Sequence, residues 1–209
     1  MADKSQIKLR LRELFNPFVS FLSYLGISPM AITFSGIILS VVGAVFLATG
    51  RFVVSGLFLL VSGLCDVLDG SLARREKKVS IFGAFIDSTG DRIGELLYFG
   101  AIIFYFSKMK PAGIHFIVVS LVAIGGSFLT SYTRARAEGL GISCSIGVLE
   151  RPERVAILVA GLLFGPKILF LSLIVIAVLS SYTAFQRIMH VKRVSYQSST
   201  SGSQDSGNV

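Results

Sequence analysis

Long uncharged apolar runs alternate with short polar or basic segments along most of the chain. The run from Met30 to Gly50 carries no charge and is long enough to cross the hydrocarbon core of a bilayer as a helix. Further apolar runs predict spans that begin near residues 52, 80, 114, 152 and 168. The pattern therefore predicts an all-α, polytopic membrane protein with six transmembrane helices.

The segments on either side of these spans have a different pattern. Apolar residues recur at alternating steps of four and three across residues 5–25, with Lys8 and Arg12 available to the opposite face. This spacing is typical of an interfacial amphipathic helix, which Pro17 is expected to bend or interrupt. We divide the chain into a juxtamembrane helix (1–29), a six-helix domain (30–194) and a Ser-rich tail predicted to be disordered (195–209).

Composition and charge narrow the class of protein and its partners. Of the 209 residues, 53% are hydrophobic and 15% are charged, which is too apolar for an ordinary soluble domain. The net charge of +8 comes from bases that lie between apolar runs, so membrane lipids and phosphate-bearing substrates are expected partners, and nucleic acid is not. Most of the 20 lysines and arginines fall on the side of residues 74–78, which predicts that this side of the cell (inner) membrane is cytoplasmic.

Four carboxylates stand out in otherwise membrane-like sequence. Asp66 and Asp69 are three residues apart, and Asp87 and Asp91 are four apart, so each pair projects from one face of a helix. Acids this close in an apolar setting need a cation, and oxygen ligands without His or Cys favour Mg²⁺ or Mn²⁺. The alternative is that they pair with neighbouring lysines and arginines in a solvated loop.

Two sets of neighbours fit a phosphate-bearing substrate. Gly70 and Ala73 leave bare backbone beside the acids, and Arg74 offers a forked cation suited to phosphate. Further along, four arginines return to the same predicted side, where the start of a helix also favours anions. They are also compatible with ordinary positive-inside anchors. These are Arg134, Arg136, Arg151 and Arg154.

The acidic stretch resembles the CDP-alcohol phosphotransferases. Their signature D-x2-D-G-x2-A-R-x8-G-x3-D-x3-D is matched without a gap or substitution at Asp66, Asp69, Gly70, Ala73, Arg74, Gly83, Asp87 and Asp91. The resemblance implies a six-helix membrane enzyme in which an alcohol hydroxyl attacks the lipid-bearing phosphate of a CDP-linked lipid and releases CMP. It also implies divalent metal, two ions being expected, on the first three aspartates, with the last one as a further ligand or general base.

Three shorter motifs resemble the branch that makes phosphatidylinositol phosphate. They are S-Y-x-[KR]-A-R-A-E at residues 131–138, E-R-x-E-R at 150–154 and D-S-T-x-D-R at 87–92. Position 134 is Arg here and often Lys in that branch, which leaves the identity of the acceptor more open. The residues that this resemblance assigns to the sugar phosphate are Ser131, Arg134, Arg136, Arg151, Arg154 and Arg187.

The expected reaction is transfer of the phosphatidyl group of CDP-diacylglycerol to inositol 1-phosphate. Gly70, Ala73, Arg74 and Thr33 would contact the CDP-lipid, and Asp91 would accept the proton of the attacking hydroxyl. Glycerol 3-phosphate as acceptor and an archaeal diether as lipid stay open, as does pairing of two chains. A divalent-cation transporter is the alternative from another class, but transporters tend to place such acids near the bilayer midplane between inverted repeats. The acids here are predicted toward one face, without a repeat.

Overall fold

The described structure is entirely helical. A computed structural model describes residues 15–109 and 111–205, with side chains as far as residue 197, and these residues contain no strand. The all-α class predicted from the sequence is confirmed. The helices are α1 (15–24), α2 (Pro29–Ala48), α3 (Phe52–Arg75), α4 (Ile81–Ser107), α5 (Ile114–Gly139), α6 (Arg151–Phe164) and α7 (Pro166–Asp205).

Local sequence explains where several helices begin and end. Ser28 caps α2 by accepting a hydrogen bond from the Ala31 backbone, and Pro29 occupies the first helical position, where no backbone donor is lost. Gly50 (φ 83°) and Gly165 (φ 97°) adopt the positive φ that ends α2 and α6 at low steric cost. The turns therefore fall where the glycines and prolines of the sequence place them.

Four of the helices in the described ranges are long and apolar enough to span a membrane. They are Pro29–Ala48, Phe52–Arg75, Ile114–Gly139 and the part Pro166–Gln197 of α7. Helix α4 has 27 residues but carries several charged residues in its first half, and α6 has 14 residues. At 1.5 Å per residue α6 is about 21 Å long, short of a hydrocarbon core of about 30 Å. The membrane class is thus established, whereas the count of six spans stays a prediction.

Two compact units divide the chain, Met1–Ala101 and Ile102–Val209. In the first, α2 packs on α3, and Ser62 Oγ donates to the backbone oxygen of Gly36 at 2.9 Å. A Cβ on Gly43 would collide with the Tyr98 hydroxyl, and Gly36 and Ala44 are also buried. These small residues of α2 therefore allow close helix contact.

The second unit is built on α7. Helices α5 and α6 both pack on it, and Thr130 Oγ1 donates to the backbone oxygen of Ser180 at 2.7 Å. Glycines again allow the close approach, since a Cβ on Gly161 would lie 2.9 Å from the Leu169 Cα. The rings of Phe106 and Phe116 stack at 3.7 Å. Both small residues and stacked aromatic rings thus contribute to the packing of this unit.

The two ends of the chain are only partly described. Residues 15–24 are helical on both sides of Pro17, and Val19 is buried against Ile32, Leu68 and Leu72. Residues 1–14, which carry Lys8, Arg12 and about half of the predicted amphipathic pattern, lie outside the described residues. The sequence predicts disorder from residue 195, whereas the structure continues α7 as helix to Asp205. Helix propagation adds one hydrogen bond per residue, so a preceding long helix favours further turns even in a polar segment.

Candidate active site

Three of the four predicted metal ligands come together. One carboxylate oxygen from each of Asp66, Asp69 and Asp87 lies within 4.8 Å of the others. Helix α3 supplies the first two, one turn apart, and the first half of α4 supplies the third. The spacing of three between Asp66 and Asp69 places both on one helix face, as the sequence predicts.

The local chemistry of this cluster suits a hard divalent cation. The Asp66 and Asp87 carboxyl groups lie within hydrogen-bonding distance of each other, and Asp69 is 6% exposed. Negative charges that are this close together and this buried repel each other strongly unless a proton or a cation lies between them. Three carboxylate oxygens within 4.8 Å of one another need only small side-chain rotations to converge on one hard cation, because two ligands on opposite sides of Mg²⁺ are about 4.2 Å apart. The residues therefore fit the predicted metal.

Thr33 has a different contact from the one that the sequence predicted. Its hydroxyl lies 2.5 Å from Asp69 Oδ2, to which it donates, and 3.2 Å from the Pro29 backbone oxygen. A hydroxyl has one proton to donate, so the shorter contact takes it. Thr33 thus orients one carboxylate of the cluster from α2, while its predicted contact with the CDP-lipid stays a prediction.

A cavity of about 480 Å³ opens beside the cluster within the first unit. Two of the clustered carboxylates, Asp69 and Asp87, line it. A Cβ on Gly70 would come to 3.3 Å from Arg74 Nη1, so glycine leaves the guanidinium undisturbed. All four residues predicted to contact the CDP-lipid line the same cavity, namely Thr33, Gly70, Ala73 and Arg74.

Several cavity residues were not predicted from the sequence. Ser80 caps α4, since its Oγ accepts a hydrogen bond from the Gly83 backbone at 3.0 Å. The Ser-x-x-Gly spacing before an apolar run was the available signal for this helix start. The sequence marks Lys78 only as one of the bases on the predicted cytoplasmic side. The additional lining residues are Ser28, Pro29, Met30, Lys78, Val79, Ser80 and Ala84.

Asp91 lies outside the group of three. Its Oδ2 is 3.3 Å from Arg92 Nη1, and its side chain is 12% exposed. It is close enough to Asp87 for their charges to interact. Its position one helical turn after Asp87 leaves it near the cluster, and its roles as metal ligand and proton acceptor stay predictions.

The residues predicted to bind the sugar phosphate, five arginines and Ser131, all belong to the second unit and fall into two groups. Arg187 lies close enough to Arg134, Arg154 and Glu150 for their charges to interact. Arg134 Nε donates to Glu138 Oε1 at 2.8 Å and its side chain is 45% exposed. The other group is exposed or half-buried. It consists of Ser131 and Arg136 near the end of α5 and Arg151 at the start of α6.

Arg187 is tied to the backbone. It is 3% exposed, and its Nε and Nη1 donate to the backbone oxygens of Ile146 and Thr130 at 2.8 and 2.5 Å. On the same helix, Thr183 Oγ1 accepts from the Leu149 backbone at 3.1 Å. These bonds hold the segment between α5 and α6 against α7. Arg187 therefore has a structural role, and its predicted contact with the sugar phosphate is not tested by this geometry.

Comparison with known proteins finds a matching family and similar proteins. Residues 27–191 match the CDP-alcohol phosphatidyltransferase family. The chain is 37% identical over 164 residues to the archaetidylinositol phosphate synthase of Methanothermobacter thermautotrophicus, covering 77% of this chain and 80% of that protein.

Solved structures of the phosphatidylinositol phosphate synthase of Mycobacterium tuberculosis are similar in fold. The structure with CDP-DAG bound aligns with a TM-score of 0.77 and 29% identity, covering 86% of this chain and 94% of that one. The structure in complex with manganese and citrate aligns with a TM-score of 0.76 and 30% identity, covering 84% and 87%. Manganese in the latter agrees with the metal expected for the three aspartates.

Proposed function

Because the chain belongs to the CDP-alcohol phosphatidyltransferase family, a family of membrane enzymes, we propose that it transfers the phosphatidyl group of CDP-diacylglycerol to inositol 1-phosphate. The products are phosphatidylinositol phosphate and CMP. The observation that carries this proposal is the convergence of three signature aspartates beside a cavity that also holds Gly70, Ala73 and Arg74.

On the donor side, each residue has a defined task. Asp66, Asp69 and Asp87 hold Mg²⁺ or Mn²⁺, and the Thr33 hydroxyl keeps the Asp69 carboxylate in place. Arg74, at the wall of the cavity, offers donors to the diphosphate, and Gly70 keeps the wall free of side chain. When bound, the metal supplies positive charge that stabilises the departing CMP phosphate.

The transfer itself is an in-line displacement. The acceptor hydroxyl oxygen forms a bond to the lipid-bearing phosphorus, while the bond from that phosphorus to the bridging oxygen breaks and CMP leaves with the electron pair. Asp91 takes the hydroxyl proton. Its pairing with Arg92 at 3.3 Å keeps the carboxylate oriented from the same helix.

On the acceptor side, we assign the sugar phosphate to the arginines of the second unit. Arg134, Arg136, Arg151 and Arg154 offer forked donors, and Ser131 one turn earlier offers a hydroxyl. Arg134 and Arg154 both lie close enough to Arg187 for their charges to interact, which supports an anionic ligand nearby, because a phosphate stabilises positive charges gathered in one region.

The lipid is either a diacylglycerol or an archaeal diether. The likeness to an archaetidylinositol phosphate synthase favours testing the diether as a second donor with the same acceptor. We also propose that the protein lies in the cell membrane with its active site facing the cytoplasm, because most lysines and arginines fall on the side of residues 74–78.

The experiment is CMP release by the purified chain in detergent with Mg²⁺ or Mn²⁺. CDP-diacylglycerol and the diether analogue serve as donors, and inositol 1-phosphate, glycerol 3-phosphate, free inositol and serine as acceptors. We expect fast release only with inositol 1-phosphate. A preference for glycerol 3-phosphate or free inositol would refute the proposed acceptor, and Mn²⁺ uptake into proteoliposomes without any CDP-lipid would favour a transporter. Molar-mass measurement on the same sample determines whether two chains pair.

A further inference from the structure

A hydrogen bond and an ion pair, which share one carboxylate, link the juxtamembrane helix α1 to the cavity. Ser23 Oγ donates to Glu76 Oε1 at 3.0 Å, and Lys78 Nζ lies 2.7 Å from Glu76 Oε2. Lys78 lines the cavity that Asp69 and Asp87 also line. One carboxylate, 13% exposed, therefore connects a helix outside the cavity to an ammonium group at its wall.

The backbone around Lys78 is held in a defined turn. Lys77 has a φ of 54°, in the left-handed region where glycine usually ends a helix. The Lys78 backbone N donates to the Ala73 oxygen at 2.9 Å, and the Lys77 N donates to the Arg74 oxygen at 3.4 Å. These are the two bonds of a Schellman motif, so the position of Lys78 is fixed relative to Ala73 and Arg74.

The charges in this turn suit a phosphate ligand. Hydrogen bonds from Lys78 and then Ser23 hold the pKa of Glu76 below its usual value, so the pair persists at neutral pH. An ammonium group has three donors, and Glu76 takes one. Two donors of Lys78 remain for a ligand in the cavity, where Arg74 provides the neighbouring cation.

We propose that Lys78 binds a phosphate group of the diphosphate in the nucleotide-linked lipid, and that Glu76 and Ser23 are positioning residues that hold its ammonium group at the cavity. This inference rests on the proposed function and extends it to residues between the signature positions. The juxtamembrane helix thereby contributes to substrate binding through Ser23, without contacting the substrate.

The test is equilibrium binding of CDP to the purified full chain with Mg²⁺ or Mn²⁺. Lys77→Met is the matched control, because it removes the same charge one residue away and Lys77 does not line the cavity. We expect Lys78→Met to raise the Kd for CDP about tenfold, Lys77→Met to change it less than about twofold, and Lys78→Arg to retain most of the affinity. Equal effects of Lys78→Met and Lys77→Met would overturn the assignment.

Turnover separates this inference from the proposed reaction. With CDP-diacylglycerol, Lys78→Met should raise KM about tenfold and leave kcat within about twofold. If the wild-type chain binds CDP but transfers to no phosphorylated alcohol, the proposed reaction is refuted, while the comparison of Lys78→Met with Lys77→Met still decides the role of Lys78.

A double-mutant cycle tests the positioning residues. Glu76→Gln should raise the Kd for CDP about threefold, since a freed lysine must lose more conformational entropy on binding. The same change should have no effect in a Lys78→Met background, and Ser23→Ala should act in the same direction more weakly. An equal effect of Glu76→Gln in both backgrounds, or tighter binding, would exclude the positioning role.

Discussion

The acid cluster of the first unit and the arginine cluster of the second use buried charge in opposite ways. The three aspartates converge on one point beside a cavity, and Thr33 orients one of them. In the second unit, Arg187 is 3% exposed and donates to the backbone oxygens of Thr130 and Ile146.

The difference shows what residue type alone leaves undecided. Carboxylates that converge on one point repel one another, and a bound cation relieves that repulsion. A guanidinium can satisfy its donors on carbonyl groups and then serves the architecture. A buried arginine near a predicted site is thus assigned a role only after its hydrogen-bond partners are known.

The largest expected loss of activity comes from a substitution in the acid cluster. Asp69→Asn replaces a charged ligand by a neutral amide, which binds hard divalent cations more weakly. Mn²⁺ affinity, followed by electron paramagnetic resonance, and CMP release should both fall more than about a hundredfold. Glu138→Gln, at an exposed position on α5 in the second unit, is the control for metal binding and should leave the Mn²⁺ affinity unchanged. Unchanged Mn²⁺ affinity in Asp69→Asn would show that the cluster is not the metal site.

The role of Asp91 separates chemistry from binding. Asp91→Asn cannot accept the hydroxyl proton, so CMP release should fall by about 10²–10⁴-fold. Binding of Mn²⁺ and of CDP should stay within about threefold of wild type, because Asp91 lies outside the group of three. Retained turnover would refute its role as proton acceptor, and lost Mn²⁺ binding would make it a ligand.

A smaller effect is expected from the residue that orients Asp69. Thr33→Val keeps the shape of the side chain and removes the donor, so Mn²⁺ affinity should fall about tenfold. Thr33→Ser keeps the hydroxyl and should stay near wild type. If both variants bind Mn²⁺ as well as wild type does, the hydrogen bond does not tune the site.

Substitutions of Arg187 and Arg134 should differ in their effect on the free energy of unfolding. Arg187→Met leaves two backbone oxygens without their donors and should lower the free energy of unfolding by about 3 kcal/mol, seen as a lower Tm. Arg134→Met, at a side chain that is 45% exposed, should cost less than about 1 kcal/mol and instead raise the KM for inositol 1-phosphate. The comparison would fail if both variants changed Tm equally.

The sequence by itself determined the helical membrane class and the aspartates of the site. Apolar runs follow from the need to bury backbone in a bilayer, and the spacing of Asp66 and Asp69 fixes them on one helix face whatever the helix packs against. The Ser and Pro at the start of α2 and the glycines at 50 and 165 likewise act through neighbours in sequence.

Only the tertiary structure decided how the remaining residues are used. Thr33 meets Asp69 across 36 positions, Ser23 meets Glu76 across 53, and Arg187 meets Thr130 across 57. A sequence pattern records the type of a side chain, whereas its partner depends on which helices pack and at what rotation. Helix packing therefore decides that Asp87 lies beside the acids of α3, that Arg187 donates to backbone oxygens and that Lys78 lines the cavity.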